Sequence, residues 1–170
     1  KIKFKSRVYT PLNNSEKYTL VLMGRADFGL LGSYNKYKQT PFETFHVGGD
    51  GMTGSYTYAT ETIGLRGYDN GALTPYSDGR AYTRFSMELH FPFLLQPSST
   101  IYGLAFVEGG NAWTSLENFN PFSLKRSAGV GVRIFLPMIG LMGIDWAYGF
   151  DKVQGEKGGG HFHFILGQEF

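Results

Sequence analysis

The stretch Tyr82-Thr-Arg-Phe-Ser-Met-Glu-Leu-His-Phe91 alternates without a break, with Arg84, Ser86, Glu88 and His90 on one side and Phe85, Met87, Leu89 and Phe91 on the other. Successive side chains of a strand point to opposite faces, so this period of two puts every apolar group on one face of a sheet and every polar group on the other. Pro92 follows and predicts the end of the strand, because proline has no N–H to give to a ladder.

Six further segments carry the same period, and none shows the 3.6-residue period of a helix. Lys1 to Thr10 sets Lys1, Lys3, Lys5 and Arg7 against Ile2, Phe4 and Val8, and stops at Pro11-Leu-Asn-Asn14. Tyr18 to about Gly32 sets Arg25 and Asp27 against Leu20, Leu22, Ala26 and Phe28. After a loop of more than forty residues and the Tyr82 strand, Thr100 to Trp113 places Glu108 on one face with Tyr102, Leu104 and Phe106. Ser127 to Phe135 opposes Val130, Val132 and Ile134 to Gly129, Gly131 and Arg133. Beyond the turn Pro137-Met-Ile-Gly140, Met142, Ile144, Trp146 and Tyr148 oppose Gly143, Asp145, Ala147 and Gly149. The last segment, His161 to Phe170, opposes His161, His163 and Glu169 to Phe162, Phe164, Leu166 and Phe170.

Composition agrees with an all-β fold. At 170 residues, with 42% hydrophobic and 18% charged, the chain fits one folded domain, and its 16% aromatics and 24 glycines favour strands over helices. It contains no run of roughly 18 to 20 apolar residues, which excludes a transmembrane helix and leaves open membrane strands of about 9 to 11 residues. Cysteine is absent, so disulfides and thiolate chemistry are excluded. A net charge of +2 gives no argument for nucleic acid. The chain begins at Lys1 directly in a strand-like run, which predicts a fragment whose earlier strands are missing.

No G-x-S-x-G elbow, H-E-x-x-H helix or phosphate loop occurs, so neither an enzyme nor a cofactor is expected. His161 and His163 share a face, yet nothing in the sequence completes a metal ligand set around them.

Periodicity alone leaves two architectures open. In water the apolar faces turn inward, as in a lipocalin-like barrel; in an outer membrane they turn outward to lipid and the charged faces line a lumen. Three asymmetries favour the membrane barrel. Aromatic residues gather at strand ends (Tyr9, Tyr18, Phe28, Tyr82, Phe91, Trp113, Tyr148 and Phe170) as in an interfacial girdle. Short turns alternate with long loops, and the polar faces carry Gly and Ser rather than the Lys/Glu mixture of a soluble surface.

An ordered set of phrases then resembles a known family. Phe45-His-Val-Gly-Gly49, Gly64-Leu-Arg-Gly-Tyr68, Met87-Glu88, Phe106-Val-Glu-Gly-Gly-Asn-Ala-Trp113, Arg126-Ser-Ala-Gly-Val-Gly-Val-Arg133, Pro137-Met-Ile-Gly-Leu141 and the terminal Phe170 resemble the barrel of the bacterial surface antigen family of outer-membrane protein assembly factors, in its Bacteroidota form. The resemblance implies the last seven strands of a 16-stranded transmembrane antiparallel β-barrel in the bacterial outer membrane, with the earlier strands and periplasmic POTRA domains outside this sequence. It implies that 33–80 is a long extracellular loop folding back into the lumen, carrying Arg66, Gly67 and Tyr68 at its tip, with Glu88 and Glu108 as acidic partners of the arginine. Asp is frequent in the family where Glu108 stands. A lumenal guanidinium needs acceptors, and carboxylates meet that need best.

The resemblance further implies that 161–170 is a seam strand and terminal signal, with Phe162, Phe164, Leu166, Gly167 and Phe170 as its marks and Gly167 loosening the ladder. An open seam edge is a template for β-augmentation by an incoming barrel protein. The implied partners are nascent outer-membrane β-barrel proteins, accessory lipoproteins, periplasmic chaperones and outer-membrane lipid. Two rivals remain: a two-partner secretion pore, which shares the Arg-Gly-aromatic loop, and a small soluble lipid-binding barrel.

Overall fold

The computed structural model describes residues 1–15, 17–33, 42–52, 60–76, 78–153, 155 and 159–167. Its strands are β1 (Ile2–Pro11), β2 (Val21–Leu30), β3 (Thr44–Val47), β4 (Thr60–Ile63), β5 (Ala81–Gln96), β6 (Ser99–Trp113), β7 (Lys125–Leu136), β8 (Gly140–Gly149) and β9 (Gly160–Leu166). Seven of them form one antiparallel sheet in the order β1-β2-β5-β6-β7-β8-β9, which is the set of strands the periodicity predicts. The described residues contain no helix long and apolar enough to cross a membrane.

The two faces of the sheet settle which way the pattern points. The apolar side chains stand in the open, Phe164 at 64% and Val107 at 54% exposure, while Asp27 and Asp145 on the opposite face are fully covered. This is the reverse of a soluble lipid-binding barrel, which hides its apolar face, and it removes that rival. The arrangement is that of part of a membrane barrel, with the charged face lining the lumen.

The loop between β2 and β5 lies against that inner face. Within it β3 and β4 pair in parallel, Thr44 opposite Thr60 through Val47 opposite Ile63, a small sheet that the sequence pattern does not reveal. Its apolar residues Phe45, Val47 and Ile63 bury against Leu31 and Tyr82. Phe45 meets the Tyr82 ring edge to face at 4.7 Å. Each such fully buried side chain contributes on the order of 1.5–3 kcal/mol, and here the burial fastens a loop to a wall.

Three expectations change. Pro92 does not end its strand: β5 runs on to Gln96 with a register shift between Pro92 and Leu94. The β2 ladder stops at Val21 opposite His90, so the proline's missing N–H deprives no β2 partner, and the irregularity absorbs its fixed φ. Tyr82 is not a girdle residue, being wholly buried on the lumenal face, and Tyr9 likewise faces a lumenal hollow with Met23, Glu88 and His90. Gly167 does not loosen the interior of a ladder. β9 ends at Leu166, and Gly167 follows with φ +72°, its N–H still donating to the Leu141 carbonyl at 2.7 Å. Phe170, Glu169, Lys157, Gly158 and parts of 33–80 lie outside the described residues.

Candidate functional site: the seat of the loop arginine

The register builds a pocket on the inner face before the arginine arrives. Glu88 stands opposite Phe106, which stands opposite Gly129, and Ser86 opposite Glu108, which stands opposite Ser127. Gly131 lies across from Asp145. The glycines of the Gly129-Val-Gly131 phrase leave the floor open: a Cβ on Gly129 would come within 2.6 Å of the Phe106 ring, and one on Gly131 within 1.8 Å of Asp145 Oδ1. The small residues of β7 thus make room for an aromatic ring and a carboxylate from its two neighbours.

Arg66 is wholly buried in this pocket. Its backbone N–H donates to Glu108 Oε2 at 2.9 Å and its Nε to Glu108 Oε1 at 3.0 Å. One terminal nitrogen donates to both Glu88 and Glu108, and the other to Asp145 Oδ2 at 3.0 Å. The guanidinium carbon lies 3.6 Å from the centroid of the Phe106 ring, so the cation rests on a π face as well. Burial opposes the charge, but Glu108, Glu88 and Asp145 outweigh it and hold the guanidinium above its ordinary pKa.

The carboxylates are themselves held. Arg133 grips Asp145 with both terminal nitrogens, Ser86 Oγ donates to Glu108 Oε1 at 3.1 Å, and His90 Nε2 lies 2.8 Å from Glu88 Oε2. Two guanidinium groups therefore face three carboxylates in a closed network, the arrangement in which buried charge is tolerated. Beside it, Asp27 pairs with Arg84 and Arg25, and Arg84 donates to the Gly64 carbonyl at 2.6 Å, gripping the loop two residues before Arg66.

Gly67 has φ +91°, and a Cβ there would stand 2.7 Å from Ser127 Cβ, so this position needs glycine for both conformation and space. Its N–H donates to His163 Nε2 at 3.0 Å. Tyr68 is buried against Gly149, and its hydroxyl donates to the Arg126 carbonyl at 2.6 Å. A second fastening lies at the start of β1: Lys1, just before the strand, and Lys3 within it place their ammonium groups 3.1 and 2.9 Å from Glu61 of β4. Burial works against the Glu61 carboxylate, but the two lysines hold it below the usual range.

Of the expected site residues, the structure brings Arg66, Gly67, Tyr68, Glu88 and Glu108 together. Phe162, Phe164 and Leu166 stand apart from them, on the outer face of β9. Asp145, Arg133 and His163 belong to the seat although sequence reasoning assigned them no part in it. Asp145 had a signal: it is the sole carboxylate of β8, on a face whose other members are Leu141, Gly143, Ala147 and Gly149.

Comparison with known families agrees with this geometry. The chain belongs to the Omp85 superfamily, whose domain model matches residues 1–170. The superfamily comprises outer-membrane β-barrel proteins that insert or translocate other proteins, with BamA and the two-partner secretion transporters among them. No curated protein matches the chain.

Proposed function

We propose that the chain is the C-terminal part of the barrel of a BamA-type outer-membrane assembly factor, which folds and inserts β-barrel proteins through a lateral gate at β9. The observation that carries this reading is the asymmetry of the sheet. Among the described residues β5 and β6 extend over 16 and 15 residues, whereas β9 at the margin has seven, paired with β8 from Met142 opposite Leu166 to Tyr148 opposite Gly160. A short marginal strand is the element that exchanges partners most readily, and its outer edge is a template for an incoming strand. The long loop is fixed by Arg66 on the wall next to that strand. The clients are nascent barrel proteins; accessory lipoproteins, periplasmic chaperones and outer-membrane lipid are the further partners, and no nucleotide is required.

The test is site-specific photo-crosslinking in the intact protein in cells. A crosslinker at Leu166 is expected to capture newly made barrel proteins during their assembly, and one at lumenal Tyr102 to capture little. Capture of a passenger at Tyr102 and none at Leu166 overturns the reading in favour of a secretion pore.

A further inference from the structure

The loop that seats Arg66 also holds the marginal strand. Besides the Gly67 bond to His163, Asp69 Oδ1 lies 3.2 Å from His161 Nδ1, and the Leu166 N–H donates to Met52 Sδ at 3.3 Å. The two imidazoles stack on the inner face of β9 with centroids 6.2 Å apart, so the loop meets a small preformed platform.

The Met52 contact differs in kind from the other two. The Gly167 N–H points to β8, where it meets the Leu141 carbonyl, and N–H groups of successive strand residues point to opposite edges. The Leu166 N–H therefore points away from β8, toward the edge where a further strand pairs. Met52 Sδ occupies that place. Met52 is not a stray side chain, since its N–H donates to Asp50 Oδ1 at 2.8 Å and the Asp50 N–H to Asn70 Oδ1 at 3.1 Å. Gly49 is bridged to Leu65, one residue before Arg66. A short chain of bonds thus runs from the arginine seat to the β9 edge.

We infer that loop segments 50–52 and 67–69 form an intrachain clamp on β9, and that Met52 caps the edge until an incoming strand displaces it. A thioether is a weak acceptor, so a backbone carbonyl of an extended client strand outcompetes it for the Leu166 N–H without a large barrier. The displaced-cap step rests on the proposed role of β9 as the client edge.

Hydrogen exchange on the intact protein in lipid nanodiscs tests the clamp. Met52→Ala removes the cap and Asp69→Asn weakens the His161 contact, and neither side chain holds a carboxylate or guanidinium of the arginine network. Both variants are expected to raise exchange within 160–166 by roughly threefold to tenfold, with 81–91 unchanged as a sign that the wall is intact. Unchanged exchange over 160–166 in both variants overturns the clamp. Capture of a synthetic peptide carrying the last strand of a barrel protein, crosslinked at Leu166, tests the displacement separately. Met52→Ala is expected to increase capture several-fold. Faster exchange with no peptide captured by parent or variant leaves the clamp standing, removes the displacement step and counts against β9 as the client edge.

Discussion

Glu108 holds Arg66 twice, accepting from the backbone N–H through Oε2 at 2.9 Å and from the side-chain Nε through Oε1 at 3.0 Å. A single carboxylate thereby fixes where the loop passes and how its cation points. Glu108→Ala removes both acceptors and leaves the Arg66 backbone N–H and Nε without partners in a closed pocket. It is expected to destabilise the seated loop by about 3 kcal/mol or more, and Glu108→Gln by less, because the amide keeps one acceptor. Protease sensitivity of 60–76 in the intact membrane protein reports this, and equal resistance of the parent and Glu108→Ala contradicts it.

Arg66→Lys keeps the charge but not the fork. An ammonium on a flexible stem cannot meet Glu88, Glu108 and Asp145 while lying flat on Phe106, so the seat is expected to weaken by about 2 kcal/mol. Thermal unfolding of the intact barrel, followed by gel mobility, measures the change. A variant as stable as its parent argues that charge alone holds the loop.

Gly67→Ala is expected to cost about 1–3 kcal/mol, from the φ of +91° and the contact with Ser127 Cβ. Ser127→Gly relieves only the contact, so the double variant recovers part of the loss. Full recovery in the double variant shows that conformation contributes nothing.

Gly131→Ala drives a methyl into Asp145, which serves both Arg66 and Arg133. It is expected to loosen the loop as much as Asp145→Asn does. A harmless Gly131→Ala contradicts the packing argument for the β7 glycines.

The Glu61 fastening is pH-dependent in a definite direction. Its carboxyl is held below the usual range in the folded state, so the stabilisation is complete above the unfolded value and fades as pH falls through the lower, folded one. Protease access to 42–52 is expected to rise in acid and in high salt, and Glu61→Gln to abolish that acid dependence. An unchanged acid response in Glu61→Gln assigns it to another group.

The seven strands of the large sheet were legible because a period of two survives in them, and the inner face of Arg84, Ser86, Glu88 and His90 is that same pattern in space. The pairing of Arg66 with Glu88 and Glu108 was legible only through resemblance, since the loop joins strands remote in sequence. Pro92 misled because its effect depends on which edge of β5 has a neighbour, a tertiary fact. The β3–β4 pair escaped because four-residue strands carry too few alternations to register, and Tyr82 misled because a loop, not lipid, covers it. Asp145 was visible as a lumenal carboxylate, but its distance to Arg66 is set by the register of β7 against β8, which sequence does not print.

The most direct test of the account is charge reversal at its centre. In cells where the intact protein is the sole copy, Arg66→Glu sets a fourth carboxylate among three and is expected to reduce assembly of newly made outer-membrane barrels by at least about tenfold, with Glu108→Arg restoring part of it. Normal assembly with Arg66→Glu contradicts the account, since a buried arginine that can be reversed without effect seats nothing.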